Sequence, residues 1–225
     1  MNRRRLFLLV AVLFGVAAAV GAFALDEPVR EALKAAHGKG WKKSPEAKFY
    51  GVVRKWGDWP WLMLGGGGAL AVALARRDRR WTRILVAALL ASTIAGIAAN
   101  ASRLTTGRTR PRASPEVAQG FYGPWHDGKL LIGQPKYNSF PSGHTATAFG
   151  FAWPIVLGSP LWGMVALAGA ALVAWSSVAL GAHHPSDVIV SVILSFLVGG
   201  VVFRWVFLRG DAVWELFRQR WRRKP

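Results

Sequence analysis

The chain contains no cysteine, which removes disulfides, thiolate nucleophiles and cysteine-ligated metals from its chemistry. Acidic residues are scarce too: 11 Asp and Glu stand against 29 Lys and Arg, a formal charge of +18. The few histidines and acids that occur together are matched by arginines, which repel cations, so the sequence offers no metal cluster. No cofactor is expected, and no internal repeat or low-complexity tract is present. What the chain has in excess is apolar residues, 52% of the total, gathered into long runs that a soluble helix would not place on its solvent face. Membrane class follows before any motif is read.

Six apolar segments emerge: Leu6 to Leu25, Trp59 to Ala75, Ile84 to Ala101, Ser142 to Leu157, Leu161 to Leu180, and Val188 to Leu208. Several fall short of the ~20 residues of an ideal span. Trp59, Trp61, Trp81, Trp162 and Trp205 lie near their ends, the depth that interfacial rings prefer. The basic clusters Arg3 to Arg5, Arg76 to Arg83 and Arg218 to Lys224 sit between or beside these runs. In a soluble protein such charge would suggest nucleic acid. Here it reads as anchoring against anionic headgroups, with membrane lipids as partners and no nucleic acid.

The expected architecture is therefore all-α, a polytopic bundle of about six transmembrane helices. It forms one domain over residues 1–225, with the motif-bearing core at about 84–208. Residues 26–58, of mixed charge around Pro28 to Leu33, are expected to form a short amphipathic surface helix. Gly65 to Gly68 suggests close helix packing through small residues. Ala22-Phe23-Ala24 has the pattern of a signal-peptidase site, but the preceding run exceeds the about 7 to 15 residues of a signal h-region. A retained anchor is the expectation, with cleavage as the alternative. With a cytoplasmic N-terminus, residues 26–58, 102–141 and 181–187 share the outer side of a bacterial inner or plasma membrane, at the periplasmic or extracellular face.

Three polar clusters fall on that side: Arg103 to Pro111, Phe140 to His144, and Gly181 to Asp187. An even number of crossings separates them, so they are co-facial in either orientation. Each suits phosphate. Arginine presents a planar fork matched to phosphate oxygens. Ser142-Gly143-His144 opens a helix whose free amides attract anions. Asp187 lies four residues beyond His183, near enough to fix one ring nitrogen and free the other for attack on phosphorus. His144 is then the candidate acid for the leaving oxygen. Each residue also has a plainer reading, such as snorkelling arginines, an N-cap serine or an acid complementing a helix dipole. Their joint spacing favours a site. His184 is assigned to structure or substrate contact.

These residues resemble the type 2 phosphatidic acid phosphatase family, which is related in its site to vanadium haloperoxidases. That signature runs Lys, six residues, Arg-Pro; then Pro-Ser-Gly-His; then Ser-Arg, five residues, His, three residues, Asp. Here Arg103 and Arg110-Pro111 match the first part with Lys exchanged for Arg, and Pro141 to His144 match the second unchanged. Ser176-Ser177, His183 and Asp187 match the third except that Ser177 replaces Arg. The resemblance implies metal-independent hydrolysis of a phosphomonoester or pyrophosphate on a lipid, such as undecaprenyl diphosphate, phosphatidylglycerol phosphate, phosphatidic acid or lipid A. It makes His183 the nucleophile of a phosphohistidine, Asp187 its orienting partner and His144 the acid and then base. Arg103, Arg110, Ser142 and Gly143 would hold the phosphate. Ser177 removes a positive charge from that cradle, and Arg108 or Lys136 is expected to make up for it. A lipid-to-lipid phosphotransferase, or a phospholipid-binding or transport protein without catalysis, remains open. Oligomeric state is not legible.

Overall fold

The computed structural model describes residues 3–38, 40–112 and 117–222, with side chains at 3–5, 7–9, 11–12 and 210–222 left aside. The side chains of the two terminal basic clusters lie outside the described residues. Among the described residues, seven α-helices run α1 (Arg3–Ala36), α2 (Pro45–Lys55), α3 (Trp59–Ala75), α4 (Arg79–Thr106), α5 (Gly143–Gly158), α6 (Pro160–Ala179) and α7 (Pro185–Arg222). Between α4 and α5 sits a two-stranded hairpin, β1 (Trp125–His126) and β2 (Lys129–Leu130). Among the described residues, three helical stretches are long and apolar enough to cross a membrane: Arg79–Thr106, Pro160–Ala179 and Pro185–Arg209. The shorter Trp59–Ala75 is apolar as well.

The N-terminal part departs most from expectation. Helix α1 does not stop at Leu25 but continues through Pro28 to Ala36. Proline costs only its local hydrogen bond and ring clash. Beyond it, Val29 and Leu33 pack on the cluster of Ala148, Phe149, Val173 and Val188, so tertiary burial carries the helix past the break. The amphipathic helix is consequently α2, not the Pro28 to Leu33 stretch. Ser44 caps α2 by accepting from the Ala47 amide at 3.2 Å, and Pro45 occupies its first turn.

The core is built for close approach. Ala87, Ala88, Ala91, Ala95 and Ala99 line a fully buried face of α4, with Ser92 donating to the Thr147 carbonyl of α5 at 3.0 Å. Of Gly65 to Gly68, Gly66 alone meets a neighbour at Cβ distance, with Phe151 and Leu89 against it, while the other three face open space. Close packing thus holds for one of the four. Asp78 starts α4 by accepting from the Trp81 amide at 3.0 Å. Gly107 ends it in the left-handed region at φ 54°, with a would-be Cβ 1.9 Å from the Gly123 carbonyl oxygen. That stop leaves Arg103 on the last turn of α4 and turns the chain sharply toward Arg108 and Arg110.

The α5–α6 hairpin yields a stability prediction. A Cβ on Gly163 would lie 2.2 Å from Val156 Cα, a backbone atom, whereas one on Gly65 meets nothing within 4 Å. Gly163→Ala should destabilise by about 1–3 kcal/mol. Gly65→Ala should be neutral or stabilising by up to about 1 kcal/mol. Thermal unfolding in detergent compares the two directly.

Candidate active site

The three motif segments are sewn together by main-chain hydrogen bonds. The Ser139 amide donates to the Arg108 carbonyl at 3.1 Å, and the Arg112 amide to the Gly181 carbonyl at 3.1 Å. The Ser142 amide donates to the Asp187 carbonyl at 3.2 Å, and the Arg110 amide to the Lys136 carbonyl at 2.9 Å. Positions far apart in sequence are therefore fixed by backbone, independent of side-chain rotamers.

His183 is fully buried in the turn between α6 and α7. Its Nδ1 donates to the Ser139 carbonyl at 2.7 Å, with Asp187 Oδ2 further off at 3.5 Å. The sequence pointed to Asp187 as the orienting group, but the shorter contact is the Ser139 carbonyl. A proton held on Nδ1 leaves Nε2 with a free lone pair, and that atom is buried without a protein partner. Burial above all, and then the charges of Arg103 and Arg110, push the ring's pKa down to about 3, against the pull of Asp187. The imidazole is neutral, with its one proton on Nδ1, across ordinary pH.

Asp187 is itself fully buried at the start of α7 and is held by three groups. Arg108 Nη1 and Ser139 Oγ donate to its two oxygens, the latter at 2.5 Å, and the His184 amide donates at 2.8 Å. Arg108 also pairs with Asp26 of α1 and donates to Ser186 Oγ at 2.7 Å. Asp26 in turn accepts from the Ser186 amide at 3.0 Å and its hydroxyl at 2.6 Å. One guanidinium is thus shared by two buried carboxylates, and α1 is pinned to the start of α7 through Asp26.

A second set of cations is differently placed. Arg103 donates to the Pro141 carbonyl and to Asn100 Oδ1, both at 2.9 Å, and Arg110 donates to the Asn138 carbonyl at 3.0 Å. Each keeps one buried guanidinium nitrogen without a protein partner, as does Arg54 of α2. The Arg103 guanidinium lies over Gly143, where a Cβ would be 2.9 Å from Nη2. Arg110 has its pKa lowered to about 10, by burial first and then by Arg112, Arg103 and Arg54. His144 stands at the same spot: Arg54 Nη2 donates to its Nδ1 at 3.3 Å, and its Nε2 donates to Asp58 at 2.5 Å. Ser142 is the buried N-cap residue of α5 but makes no side-chain cap bond; its Oγ accepts from Thr145 Oγ1 at 2.9 Å.

The sequence-derived residues Arg103, Arg110, Ser142, Gly143, His144, His183 and Asp187 therefore meet at one end of the bundle. The expectation that Arg108 or Lys136 makes up for Ser177 is not met by this geometry. Arg108 is consumed by Asp26 and Asp187, because two buried carboxylates demand a cation. The Lys136 ammonium lies on the exposed side, 5.0 Å over the Tyr137 ring. His184 is structural, with Nε2 donating to the Thr109 carbonyl at 3.1 Å. Sequence reasoning missed Asp26, Arg54 and Asp58. Asp26 carried a signal, being a lone acid at the end of an apolar run. Asp58 before Trp59-Pro60 reads as a helix cap, and nothing local distinguishes Arg54 from its neighbours Lys48 and Lys55. Among the described residues, no group of three or more histidines and acids is placed to hold a metal ion.

The PAP2 superfamily profile matches residues 82–211, which include all three motifs. The chain belongs to the PAP2 superfamily. As a member it is a phosphatase, a hydrolase of phosphoester bonds. It is 34% identical over 152 residues to the decaprenylphosphoryl-5-phosphoribose phosphatase of Mycobacterium tuberculosis, covering 63% of this chain and 69% of that protein. Similarity to the lipid A 1-phosphatase of Rhizobium johnstonii is 32% over 94 residues, 42% of this chain and 36% of that one. The crystal structure of LpxE from Aquifex aeolicus shares the fold, with a TM-score of 0.53 at 19% identity over 80% of this chain and 95% of that one. Asp26, Arg54 and Asp58 all precede the matched region of this PAP2 protein.

Two predictions arise here. Arg108→Ala leaves two buried carboxylates without their cation and should cost about 3–5 kcal/mol, whereas Lys136→Ala should stay within about 0.5 kcal/mol; thermal melts of both variants decide. The second concerns pH. The unfolded chain protonates His183 below about pH 6.5, while the folded site keeps the ring neutral down to about 3. Its contribution is intact above pH 6.5 and is lost as pH falls toward 3, by up to about 1.4 kcal/mol per pH unit. Between pH 7 and 4, the melting temperature of His183→Asn should therefore fall less steeply than that of the wild type.

Proposed function

We propose that the protein removes phosphate from a lipid through a phosphohistidine at His183, on the outer face of a bacterial inner or plasma membrane. In this reading α1, α3 and α5 join the three long apolar helices to complete six crossings. One observation carries it: the His183 Nε2 lone pair is buried, has no protein partner, and faces cations that hold unused donors of their own. Buried polar atoms are mostly satisfied, and at His183 the unsatisfied nitrogen coincides with the charges of Arg103 and Arg110.

The Nε2 lone pair attacks phosphorus, and the bond from phosphorus to the lipid oxygen breaks. His144, entering the cycle in its doubly protonated form, delivers a proton to that oxygen, so the lipid leaves as an alcohol, or as a monophosphate where the substrate is a pyrophosphate. Water then attacks the phosphohistidine and gives its proton to His144; the phosphorus–nitrogen bond breaks and inorganic phosphate departs. Asp187 stabilises the charge that develops on the His183 ring. Arg103, Arg110, Ser142 and the Gly143 amide hold the phosphoryl oxygens as charge spreads over them.

A lipid is the fitting substrate because the site lies where helices meet the headgroup layer. Beside the cluster, a cavity of about 600 Å³ is lined by Arg30, Lys34, His37, Lys42, Arg112 and Gly181. Its charge and size suit a substantial anionic headgroup, as in the named substrates of the decaprenylphosphoryl and lipid A relatives. A panel of lipid phosphates assayed with EDTA present tests the reading. His183→Ala should lose at least about a thousand-fold in turnover, because the covalent route is gone. His144→Ala should lose about 100- to 10,000-fold. Wild-type turnover by His183→Ala would sink the mechanism.

A further inference from the structure

We propose that Arg54 of α2 supplies the phosphate-contacting cation that the family signature carries at the position of Ser177. This rests on the phosphatase reading above and deepens it. It assigns a substrate contact to a segment that precedes the region matching the family.

The position of Ser177 shows why another element is needed. Its side chain is fully buried and turns back to donate to the Val173 carbonyl at 3.0 Å. Its own carbonyl accepts from the amides of Ala182 at 3.1 Å and His183 at 3.2 Å. An arginine there would rise from the base of the turn that presents the nucleophile. A serine cannot reach so far, and the charge is lost.

The α2–α3 corner is packed over the same stretch of α6. At Gly57 a Cβ would lie 2.5 Å from Val173 Cγ1 and 2.8 Å from the His144 carbonyl oxygen, so only glycine lets the corner approach this closely. Val173 is one helical turn before Ser177, and Arg54 is one turn before Gly57. Thr147 Oγ1 donates to the Gly57 carbonyl, and Trp59 Nε1 donates to Thr93 Oγ1 at 2.9 Å, which ties the corner to α5 and α4. Val53 beside Arg54 is 1% exposed, so the end of α2 is embedded rather than loosely surface-bound.

The guanidinium behaves as a site group. Arg54 Nη2 donates to His144 Nδ1, and its buried Nε has no protein partner. Burial foremost, and then the charge of Arg112, lowers its pKa, with Asp58 opposing. Its charge also bears on Arg110. A structural arginine would end in carboxylates, as Arg108 does. Arg54 instead adds a third half-buried cation to Arg103 and Arg110, an arrangement that is costly alone and relieved by an anion bearing several charges.

The test measures lipid-phosphate hydrolysis and competitive inhibition by inorganic phosphate. Arg54→Ala should lower kcat/KM by about 100-fold, the usual effect of losing one charged hydrogen-bond partner at a reacting group. It should weaken inhibition by inorganic phosphate in parallel and leave the melting temperature nearly unchanged. Lys55→Ala, an exposed residue beside it, removes equal charge and should have no effect. Added guanidinium should restore part of the lost rate in Arg54→Ala but not in His183→Ala. The Arg54→Ala/Ser177→Arg double variant should recover activity if it folds, and guanidinium rescue reports independently if it does not. An Arg54→Ala protein within about threefold of wild type, while His183→Ala is dead, would overturn this inference and leave the phosphatase reading standing. Loss of rate without rescue and without weaker phosphate inhibition would equally overturn it, by making Arg54 structural. A wild type inactive on every lipid phosphate would remove the phosphatase reading itself.

Discussion

A single buried charge arrangement underlies the rest of this structure: Arg108 shared between Asp187 and Asp26. Two carboxylates out of water are costly, and each needs a cation and further donors to be tolerated. The chain meets that demand with Arg108, Ser139, Ser186 and the His184 amide, drawn from α1, the α4–α5 loop and α7. Once these groups are paired, the Ser139 carbonyl must lie against His183, and the ring's tautomer is decided. The unpartnered, buried Nε2 of His183 thus accompanies the pairing of Asp187.

Around this paired network stands a set of cations without carboxylate partners of this kind. Arg54, Arg103 and Arg110 each lean on backbone carbonyls or a side-chain acceptor and hold back one buried donor. The separation follows from geometry. Arg108 points to the carboxylates beside His183, whereas the charges of Arg103 and Arg110 bear on the His183 ring and Arg54 donates to His144. One arginine stabilises the fold and three concentrate positive potential where a phosphoryl group would sit. The small-residue packing of α4 against α5 serves the same end, because it brings Arg103 and Gly143 to within contact.

The legibility of this protein was uneven. His183 and Asp187 were visible because four residues and a helix start bring an imidazole and a carboxylate together locally. Arg103, Arg110 and His144 were visible because a fixed spacing placed them at helix mouths. Arg108 was misjudged, since its sequence neighbours are also arginines and nothing local says which of them meets a buried acid. The end of α1 was misjudged because Pro28 is a strong local signal, while the apolar contacts of Val29 and Leu33 that outweigh it lie on other helices. The roles of Arg54 and Asp58 had no local signal, as each depends on Gly57 letting the α2–α3 corner descend onto α5 and α6.

The amino-acid order by itself determined the helical membrane class, the three motif segments and the spacing of His183 and Asp187 within one of them. Those follow from hydrophobic run length and from spacing along one element, which are properties of the chain before it folds. Only the tertiary structure decided which arginine balances which acid, that a backbone carbonyl orients His183, and that α1 and α2 contribute to the site. Charges pair according to distance and burial, and both come into being when separate helices pack.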